Sequence, residues 1–191
     1  MDTYTFTLLL DGPDVLAEAT LDAFAEAGCD DALFGKRGNV AFADFDREAE
    51  SFQAAVTSAI TAVEAAAPGI RVLRVEPEEF VSLTAIAGRT GRSRESIRLL
   101  AHGDRGPGGF PSPERWVDAR TTLWRWSEVA EWFEHRLGET VTRPEDAHFV
   151  AALNGLLELR RHTAQLPDER SRLAVAAFAR QTGGFTSAAN A

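Results

Sequence analysis

The chain of 191 residues has very little cysteine or lysine, with Cys29 and Lys36 as the single examples of each. A lone cysteine forms no internal disulfide and indicates a reducing compartment. The apolar run at residues 8–10 ends at Asp11 with no basic residue before it, so we expect no signal peptide. No stretch approaches the roughly 18 apolar residues that a membrane span requires. These absences predict a cytoplasmic protein with no membrane segment.

Sequence patterns for catalysis, metals or cofactors are also scarce. The glycine-rich run at residues 103–109 lacks the Gly-Lys-Ser/Thr of a phosphate-binding loop, and no strand precedes it. Asp44 and Asp46 share a strand face, but the segment before Pro77 contains no histidine and no metal-loop spacing. The four histidines have no ligand spacing: His102, His135, His148 and His162. We therefore expect no enzyme activity, no cofactor and no metal, and we interpret the acids as solvated surface groups.

The net charge of −9 is unevenly distributed along the chain. Residues 1–80 carry 5 basic and 16 acidic side chains, and residues 127–191 carry 7 and 9. Residues 81–126, in contrast, carry 8 arginines against 4 acids, a net charge of +4. Local charge governs attraction to phosphates, and arginine binds phosphates and guanine edges in a bidentate manner. The middle segment is therefore the candidate nucleic-acid-binding region, and the acidic first segment is a candidate surface for a protein partner.

The segment before Pro77 alternates between strand and helix patterns. Residues 4–8, 32–34, 40–45 and 70–75 have the composition of strands, and a turn at residues 36–39 joins the middle two. Apolar residues at helical spacing predict a helix after the first strand (Leu16, Ala19, Ala23, Ala27) and another after the third (Phe52, Val56, Ile60, Val63). The order β-α-β-β-α-β predicts a ferredoxin-like domain over residues 1–77, with two helices on one sheet face. The open face is a candidate for dimerisation or for a partner protein.

Residues 80–137 predict two short helices, a hairpin and a third helix. The first helix ends at Gly91, and we expect Thr84 to cap it. Ser93 is the expected N-cap of the second helix, which runs from residue 94 to residue 101. Ser127 is the expected N-cap of the third helix, which runs from residue 128 to residue 137. Two short helices joined by a tight glycine-containing turn are typical of a helix-turn-helix.

The same segment resembles a known family. The residues that carry the resemblance are Leu83-Thr84-x-Ile86-Ala87, Arg92-Ser93-Arg94-x-Ser96-Ile97, Phe110-Pro111-x-Pro113 and Leu123-Trp124-Arg125-Trp126-Ser127-Glu128-Val129-x-x-Trp132. Over residues 80–137 the chain is similar to the MerR-like winged helix-turn-helix group, and within it to excisionase and AlpA-type regulators. The resemblance implies a recognition helix at 93–102 in the major groove and a hairpin wing at 111–126. The glycine-rich loop before Phe110 is longer than the family's usual connection.

The resemblance and the residue types together predict a sequence-specific binder of double-stranded DNA, a transcriptional regulator. Arg94 and Arg98 are expected to contact guanine or phosphate, and Arg125 to contact phosphate from the wing or to lie over an aromatic ring. The predicted DNA-binding residues are Thr84, Arg92, Ser93, Arg94, Ser96, Arg98, Arg105, Arg120 and Arg125. The prediction requires the arginines to be exposed, and it weakens if they are buried in ion pairs with the acidic first domain.

Two alternatives remain open for this segment. All four tryptophans are close together in the sequence, at positions 116, 124, 126 and 132. Such a cluster stacks on bases in some single-strand binders, but more often it forms the core of a small domain. The second alternative is a protein-interaction adaptor that uses a helix-turn-helix-like module and the acidic N-terminal domain without binding DNA.

The C-terminal part of the chain predicts a helical pair over residues 139–181 and a disordered tail at 182–191. Residues 142–145 have the pattern of a capping box with proline near the helix start. The two helices either form a homodimer interface, as helix-turn-helix proteins commonly bind two half-sites, or pack back on the chain's own core. The predicted fold class is therefore α+β: a ferredoxin-like βαββαβ domain, a winged helix-turn-helix at 78–138 and a C-terminal helical pair.

Overall fold

The computed structural model describes residues 1–114 and 122–181. Within these residues the chain is a mixed α+β protein that contains a small antiparallel sheet and seven α-helices. Two clusters of buried apolar side chains form its interior. In the described part of the chain, no helix combines the length and the apolar character needed to cross a bilayer.

A four-stranded sheet forms the first part of the chain. Its strands are β1 (Asp2–Asp11), β2 (Ala32–Arg37), β3 (Val40–Ala49) and β4 (Arg71–Glu76). Their spatial order is β2-β3-β1-β4, and every neighbouring pair is antiparallel. Helix α1 (Glu18–Glu26) connects β1 to β2, and α2 (Phe52–Ala66) connects β3 to β4. The predicted element order β-α-β-β-α-β is confirmed.

Alternation along the strands produces the first core. In β1, Phe6 and Leu8 are buried, whereas Thr5 and Thr7 lie on the other face and donate to carboxylates of β3. On the covered side, α2 buries Val56 and Val63 as its spacing predicts. The sheet is thus apolar on one face and largely polar on the other, which is the pattern of an antiparallel sheet covered on one side.

Helix α1 differs from its predicted apolar stripe. Leu16 precedes the helix and is 37% exposed, and the buried residue of α1 is Phe24. The ring of Phe24 stacks on that of Phe34 in β2, with centroids 4.2 Å apart. One aromatic ring is therefore the main apolar anchor of α1, in place of the predicted stripe of leucine and alanines.

The second core is formed by short elements. These are β5 (Phe80–Val81), α3 (Leu83–Thr90), α4 (Arg94–His102), β6 (Trp124–Arg125) and α5 (Trp126–Trp132). A π-helical turn, Phe133–Leu137, extends α5 to Gly138, whose φ is 68°. The predicted recognition helix at 93–102 is confirmed as a helix, since α4 occupies this range with Ser93 as its N-cap.

The predicted hairpin is only partly observed. Its second limb, β6, pairs with β5 in the register Phe80↔Arg125 and Val81↔Trp124, and sequence analysis did not predict β5. On the other side an isolated bridge joins Glu114 to Leu123. The remainder of the first limb and the predicted turn, which includes Arg120, lie outside the described residues.

Two of the three helix caps predicted within residues 80–137 are wrong. Ser82 caps α3, with its hydroxyl accepting from the Ala85 amide at 3.3 Å, because the helix begins at Leu83 and Thr84 is already inside its first turn. Helix α5 begins at Trp126, so Ser127 is not its cap. The Ser127 hydroxyl instead donates to the Glu79 carboxylate at 2.7 Å and ties the start of α5 to the segment before β5.

The C-terminal region consists of α6 (Pro144–Ala164) and α7 (Glu169–Gln181). The predicted capping box is wrong, because the Thr142 hydroxyl donates to the Val141 carbonyl and no side chain caps α6. Helix α6 packs on the chain's own core, where Val150 and Leu157 belong to the first cluster. Helix α7 has no buried residue. The predicted tail at 182–191 lies outside the described residues.

Helix α6 also closes the β4 edge of the sheet. The Asn154 side chain accepts from the Val75 amide at 2.7 Å and donates to the Val75 carbonyl at 2.9 Å. The Val72 carbonyl accepts from Arg160 at 2.9 Å, and the Val72 amide donates to Glu64 at 2.9 Å. Side chains therefore pair the backbone groups of β4 that lack a strand partner, which is one way that proteins protect a sheet edge.

Candidate nucleic-acid interface

A tight turn joins α3 to α4 and sets the direction of α4. Gly91 ends α3 in the left-handed conformation at φ 65°, and the Arg92 amide donates to the Ala87 carbonyl at 3.0 Å. Such a C-terminal turn favours glycine, since other residues are strained at positive φ. The chain then enters α4 directly at the Ser93 cap.

Helix α4 buries one face and exposes its first turn. Ile97 and Leu100 are 0% and 3% exposed in the second core, whereas Ser93 and Arg94 are exposed. The Ser93 hydroxyl accepts from the Ser96 amide at 3.1 Å, so the cap oxygen is used within the helix. The first turn also carries the positive end of the helix dipole, which favours anions.

The two predicted base-contacting arginines of α4 differ in their surroundings. Arg94 has no hydrogen-bond or ion-pair partner among the described residues and is free to reach a ligand. Arg98 forms an ion pair with Glu95 at 2.8 Å and lies 3.9 Å from Asp104. The hydrogen bond between Arg98 and Glu95 raises the pKa of Arg98 and lowers the pKa of Glu95.

The predicted arginines on either side of α4 also have carboxylate partners. Arg92 donates to both oxygens of Glu139 at 2.6 and 2.8 Å, and its guanidinium lies 5.5 Å from the centroid of a neighbouring phenylalanine ring. Arg125 on β6 donates to Glu114 at 2.8 Å and lies over the Phe80 ring at 5.0 Å. Of the two predicted roles of Arg125, contact with an aromatic ring is confirmed, and contact with a phosphate stays a prediction.

The carboxylates that pair with these arginines belong to the same region of the chain. Within the residues that the structure describes, the ion-pair partners of Arg92, Arg98 and Arg125 all fall between positions 95 and 139. The acidic first segment, residues 1–77, supplies none of them. The ion pairing that would weaken the DNA-binding prediction is therefore not observed for these three arginines.

The remaining predicted site residues lie around this helix pair. Thr84 is exposed on α3, and Ser96 is half-buried on α4. Arg105 is exposed in the glycine-rich loop, where its backbone amide donates to the Leu99 carbonyl at 3.3 Å. The structure thus groups Arg92, Ser93, Arg94, Ser96 and Arg98 on or beside one helix, with Arg105 beyond its C-terminal end.

The glycine-rich loop is held at both of its ends. Gly103 ends α4 at φ 78°, and the Asp104 amide donates to the Leu99 carbonyl at 2.9 Å. Near its other end, the Gly108 carbonyl accepts from the Trp132 indole at 3.0 Å. These contacts fix the loop to α4 and to α5.

Three of the four tryptophans are core residues. Trp124, Trp126 and Trp132 are 5%, 2% and 5% exposed and belong to the second cluster. Buried rings of this kind have no free face for a nucleic-acid base, so for these three the core interpretation is confirmed. Trp116 lies outside the described residues.

Arg89 contributes to this region and was not predicted. Its guanidinium donates to the Glu78 carbonyl at 3.0 Å and lies 4.8 Å from the centroid of the Trp126 ring. Burial lowers the pKa of Arg89. The side chain therefore joins α3 to the start of α5, and no local pattern indicates this role because the aromatic partner is far along the chain.

Several acids of the first segment bind partners within that same segment. Asp44 and Asp46 accept hydrogen bonds from Thr7 and Thr5, and Asp31 binds the guanidinium of Arg47 at 2.7 Å. Across residues 1–114 and 122–181, no three side chains of histidine, cysteine, aspartate or glutamate are grouped as metal ligands would be.

Comparisons of the chain with family models, with curated proteins and with solved structures find no match. The candidate interface therefore rests on the residues and contacts described above.

Proposed function

We propose that this protein binds double-stranded DNA in a sequence-specific manner and regulates transcription. The observation that carries the proposal is the first turn of α4, where Arg94 is exposed and unpaired within the described residues while the opposite face of the helix is buried. A helix fixed by its apolar face, with a polar and positively charged start, suits entry into the major groove.

We also propose that the chain contains a helix-turn-helix, a wing and a ferredoxin-like domain. The pair α3–α4 corresponds to the helix-turn-helix, with α4 as the recognition helix, and residues 111–126 correspond to the wing. The four-stranded sheet with α1 and α2 corresponds to a ferredoxin-like domain. Because helix-turn-helix proteins commonly occupy two half-sites, we also propose that a homodimer binds the DNA.

The ion pairs around α4 are compatible with this role. The side chains of Arg98 and Arg125 are 38% and 41% exposed, and the side chain of Arg92 is 28% exposed. Exposed ion pairs contribute only about 0–1 kcal/mol. Exchange of a carboxylate for a DNA phosphate is therefore inexpensive, and Arg94 needs no exchange.

Selection from a random double-stranded DNA library tests the proposal. We expect the intact protein to enrich one motif, and we expect the double variant Arg94→Ala/Arg98→Ala to enrich none, because each good bidentate base contact contributes about 1–3 kcal/mol of discrimination. The symmetry of the motif reports whether a dimer binds.

Arg161→Ala is the matched control for that experiment. Arg161 is an exposed arginine on α6 and has no hydrogen-bond or ion-pair partner among the described residues. The control variant should enrich the same motif as the intact protein. A folded intact protein that enriches nothing would rule out sequence-specific recognition by α4.

A second function, a protein-interaction adaptor, is favoured by one observation. Arg92, Arg98 and Arg125 already have carboxylate partners, so their charges are partly satisfied without DNA. The salt dependence of binding separates the two functions, since contacts between arginine and phosphate weaken steeply as salt rises and an apolar adaptor interface does not. A partner that stays bound at high salt, with no affinity for DNA, would support the adaptor.

A further inference from the structure

The two edges of the four-stranded sheet are treated differently. Side chains of Glu64, Asn154 and Arg160 pair the free backbone groups of β4, as described above. The opposite edge is β2, whose neighbour among the strands of the described residues is β3 alone. We propose that β2 pairs with β2 of a second copy of this chain, in antiparallel orientation, to form one continuous sheet across a two-fold axis.

The register of β2 on β3 determines which backbone groups are available. The Asp46 amide donates to the Asp31 carbonyl at 3.0 Å, and Leu33 is opposite Asp44. Because backbone groups alternate in direction along a strand, the odd-numbered residues of β2 face β3. The amides and carbonyls of Phe34 and Lys36 therefore point away from β3, towards the open edge.

A two-fold axis at Phe34 uses these groups. It places Phe34 opposite Phe34 of the second copy in a hydrogen-bonded pair, and Lys36 opposite the second copy's Ala32. The Ala32 amide is already used, since it donates to the Cys29 carbonyl at 3.2 Å, but its carbonyl remains available to the Lys36 amide. An axis perpendicular to the sheet also keeps the open faces of the two copies on the same side.

The charges of β2 and the preceding residues are complementary in this arrangement. The segment begins with Asp30 and Asp31 and ends with Lys36 and Arg37. An antiparallel pair centred on Phe34 places Asp30 diagonal to Lys36 of the second copy, and Lys36 keeps only an exposed ion pair with Asp14 of its own copy, at 3.2 Å. Asp31 precedes the strand and is bound by Arg47 of its own copy, so it supplies no charge to the interface. A parallel pair would instead place like charges together, so the sequence of this strand favours the antiparallel dimer.

The exposed apolar residue of β2 also gains a partner. Leu33 is 68% exposed, and the proposed register places it opposite Gly35 of the second copy. The space above Gly35 is covered by the ring of Phe42, since a Cβ at Gly35 would lie 2.5 Å from that ring. Leu33 of each copy therefore packs beside the Phe42 ring of the other copy. The two-fold symmetry makes this contact occur twice in the dimer.

This inference does not depend on DNA binding, and its test contains no DNA. Light scattering coupled to size-exclusion chromatography of the full chain should give twice the monomer mass of 20.8 kDa. Lys36→Glu places a like charge diagonal to Asp30 in each half of the interface, so we expect the dimer dissociation constant to rise severalfold, by about threefold or more. Arg161→Glu, which makes the same charge change on the exposed surface of α6, should leave the dissociation constant unchanged.

A charge exchange tests the register. Asp30→Lys and Lys36→Glu should each weaken the dimer, and the double variant should recover most of the lost affinity. Hydrogen exchange gives an independent measurement, in which protection of the Phe34 and Lys36 amides should rise with protein concentration while that of Gly35, already bonded to β3, should not.

Two results would overturn the inference. The first is a monomer at concentrations up to the solubility limit, in which case Lys36 acts as an edge charge that prevents strand pairing. The second is a dimer that is unaffected by Lys36→Glu but is lost in Leu173→Asp/Phe178→Asp, which would locate the interface on α7, where both side chains are exposed.

Discussion

Arg47 is a charged residue in the interior of an otherwise apolar sheet face. It is 8% exposed, and its guanidinium donates to both Asp31 oxygens at 2.7 and 2.8 Å and to the Gly28 carbonyl at 2.6 Å. These hydrogen bonds replace the water that the guanidinium loses on folding. Arg47 thereby fixes the connection between α1 and β2 to strand β3.

Replacement of Arg47 by methionine should lower the free energy of unfolding by about 2 kcal/mol. The substitution keeps most of the side-chain volume but leaves Asp31 without its partner, and removal of one member of a fully buried ion pair costs about 3–5 kcal/mol. The expected loss is smaller here because Asp31 retains some contact with solvent, with 27% of its side chain exposed. Urea denaturation followed by circular dichroism measures the effect.

Arg161→Met is the matched control for this prediction. Arg161 is exposed on α6, away from the proposed dimer edge, so its loss should change the free energy of unfolding by less than about 0.5 kcal/mol. Equal effects of the two substitutions would show that the Arg47 ion pair contributes nothing beyond an exposed charge.

At the scale of single elements, the cap of α3 distinguishes two neighbouring hydroxyl residues. Ser82→Ala should destabilise the protein by about 1 kcal/mol, because the Ser82 hydroxyl accepts from the Ala85 amide at the helix start. Thr84→Ala should cost little or be stabilising, since Thr84 is exposed inside the helix and alanine has the higher helix propensity. Thermal unfolding of both variants provides the comparison, and a greater loss from Thr84→Ala would contradict the observed helix start.

The edge contact of α6 gives a second prediction at this scale. Asn154→Ala removes both hydrogen bonds to Val75 and leaves its amide and carbonyl without these partners, at an expected cost of about 1–3 kcal/mol. Hydrogen exchange at the Val75 amide should accelerate by more than exchange at the centre of β1. The control Leu156→Ala, at an exposed α6 position, should leave Val75 exchange unchanged.

Sequence patterns predicted some of these elements and not others, for physical reasons. The strands that form the sheet and the start of α4 follow from local rules: the period-two alternation at Phe6 and Leu8, and the serine cap at Ser93. The pairing of Val81 with Trp124 was not predictable, because β5 is very short and its stability comes from distant partners. Arg89 over the Trp126 ring was missed for the same reason.

The candidate site was predictable to a similar extent. Positions on and beside α4 followed from spacing, and the structure gathers them on one helix. The ion pairs could not be predicted in this way. No residue near Arg92 in the sequence indicates Glu139 as its partner, because the contact depends on the turn at Gly138 that follows the π-helical turn. Sequence therefore predicted where the cations lie but not which of them are already paired.

At the scale of the whole molecule, α6 connects the two cores. Val150 and Leu157 are buried in the first cluster, whereas Ala147, one turn earlier than Val150, is buried in the second. The Gln53 side chain of α2 also donates to Asp146 at 2.9 Å. Because one helix contributes side chains to both interiors, the two cores should lose their structure together.

The tryptophans make this coupling measurable. Trp124, Trp126 and Trp132 are buried in the second core, so the fluorescence of these three reports on that core, while far-ultraviolet circular dichroism reports on the whole chain. Leu157 is 6% exposed in the first core, and Leu157→Ala should lower the free energy of unfolding by about 3 kcal/mol. If α6 couples the cores, the fluorescence midpoint in urea should fall by the same amount as the circular dichroism midpoint. The control Leu159→Ala, at an exposed position, should move neither of the two midpoints.

A fluorescence midpoint that stays fixed while the circular dichroism midpoint falls would mean that the two cores unfold independently and that α6 transmits no stability between them.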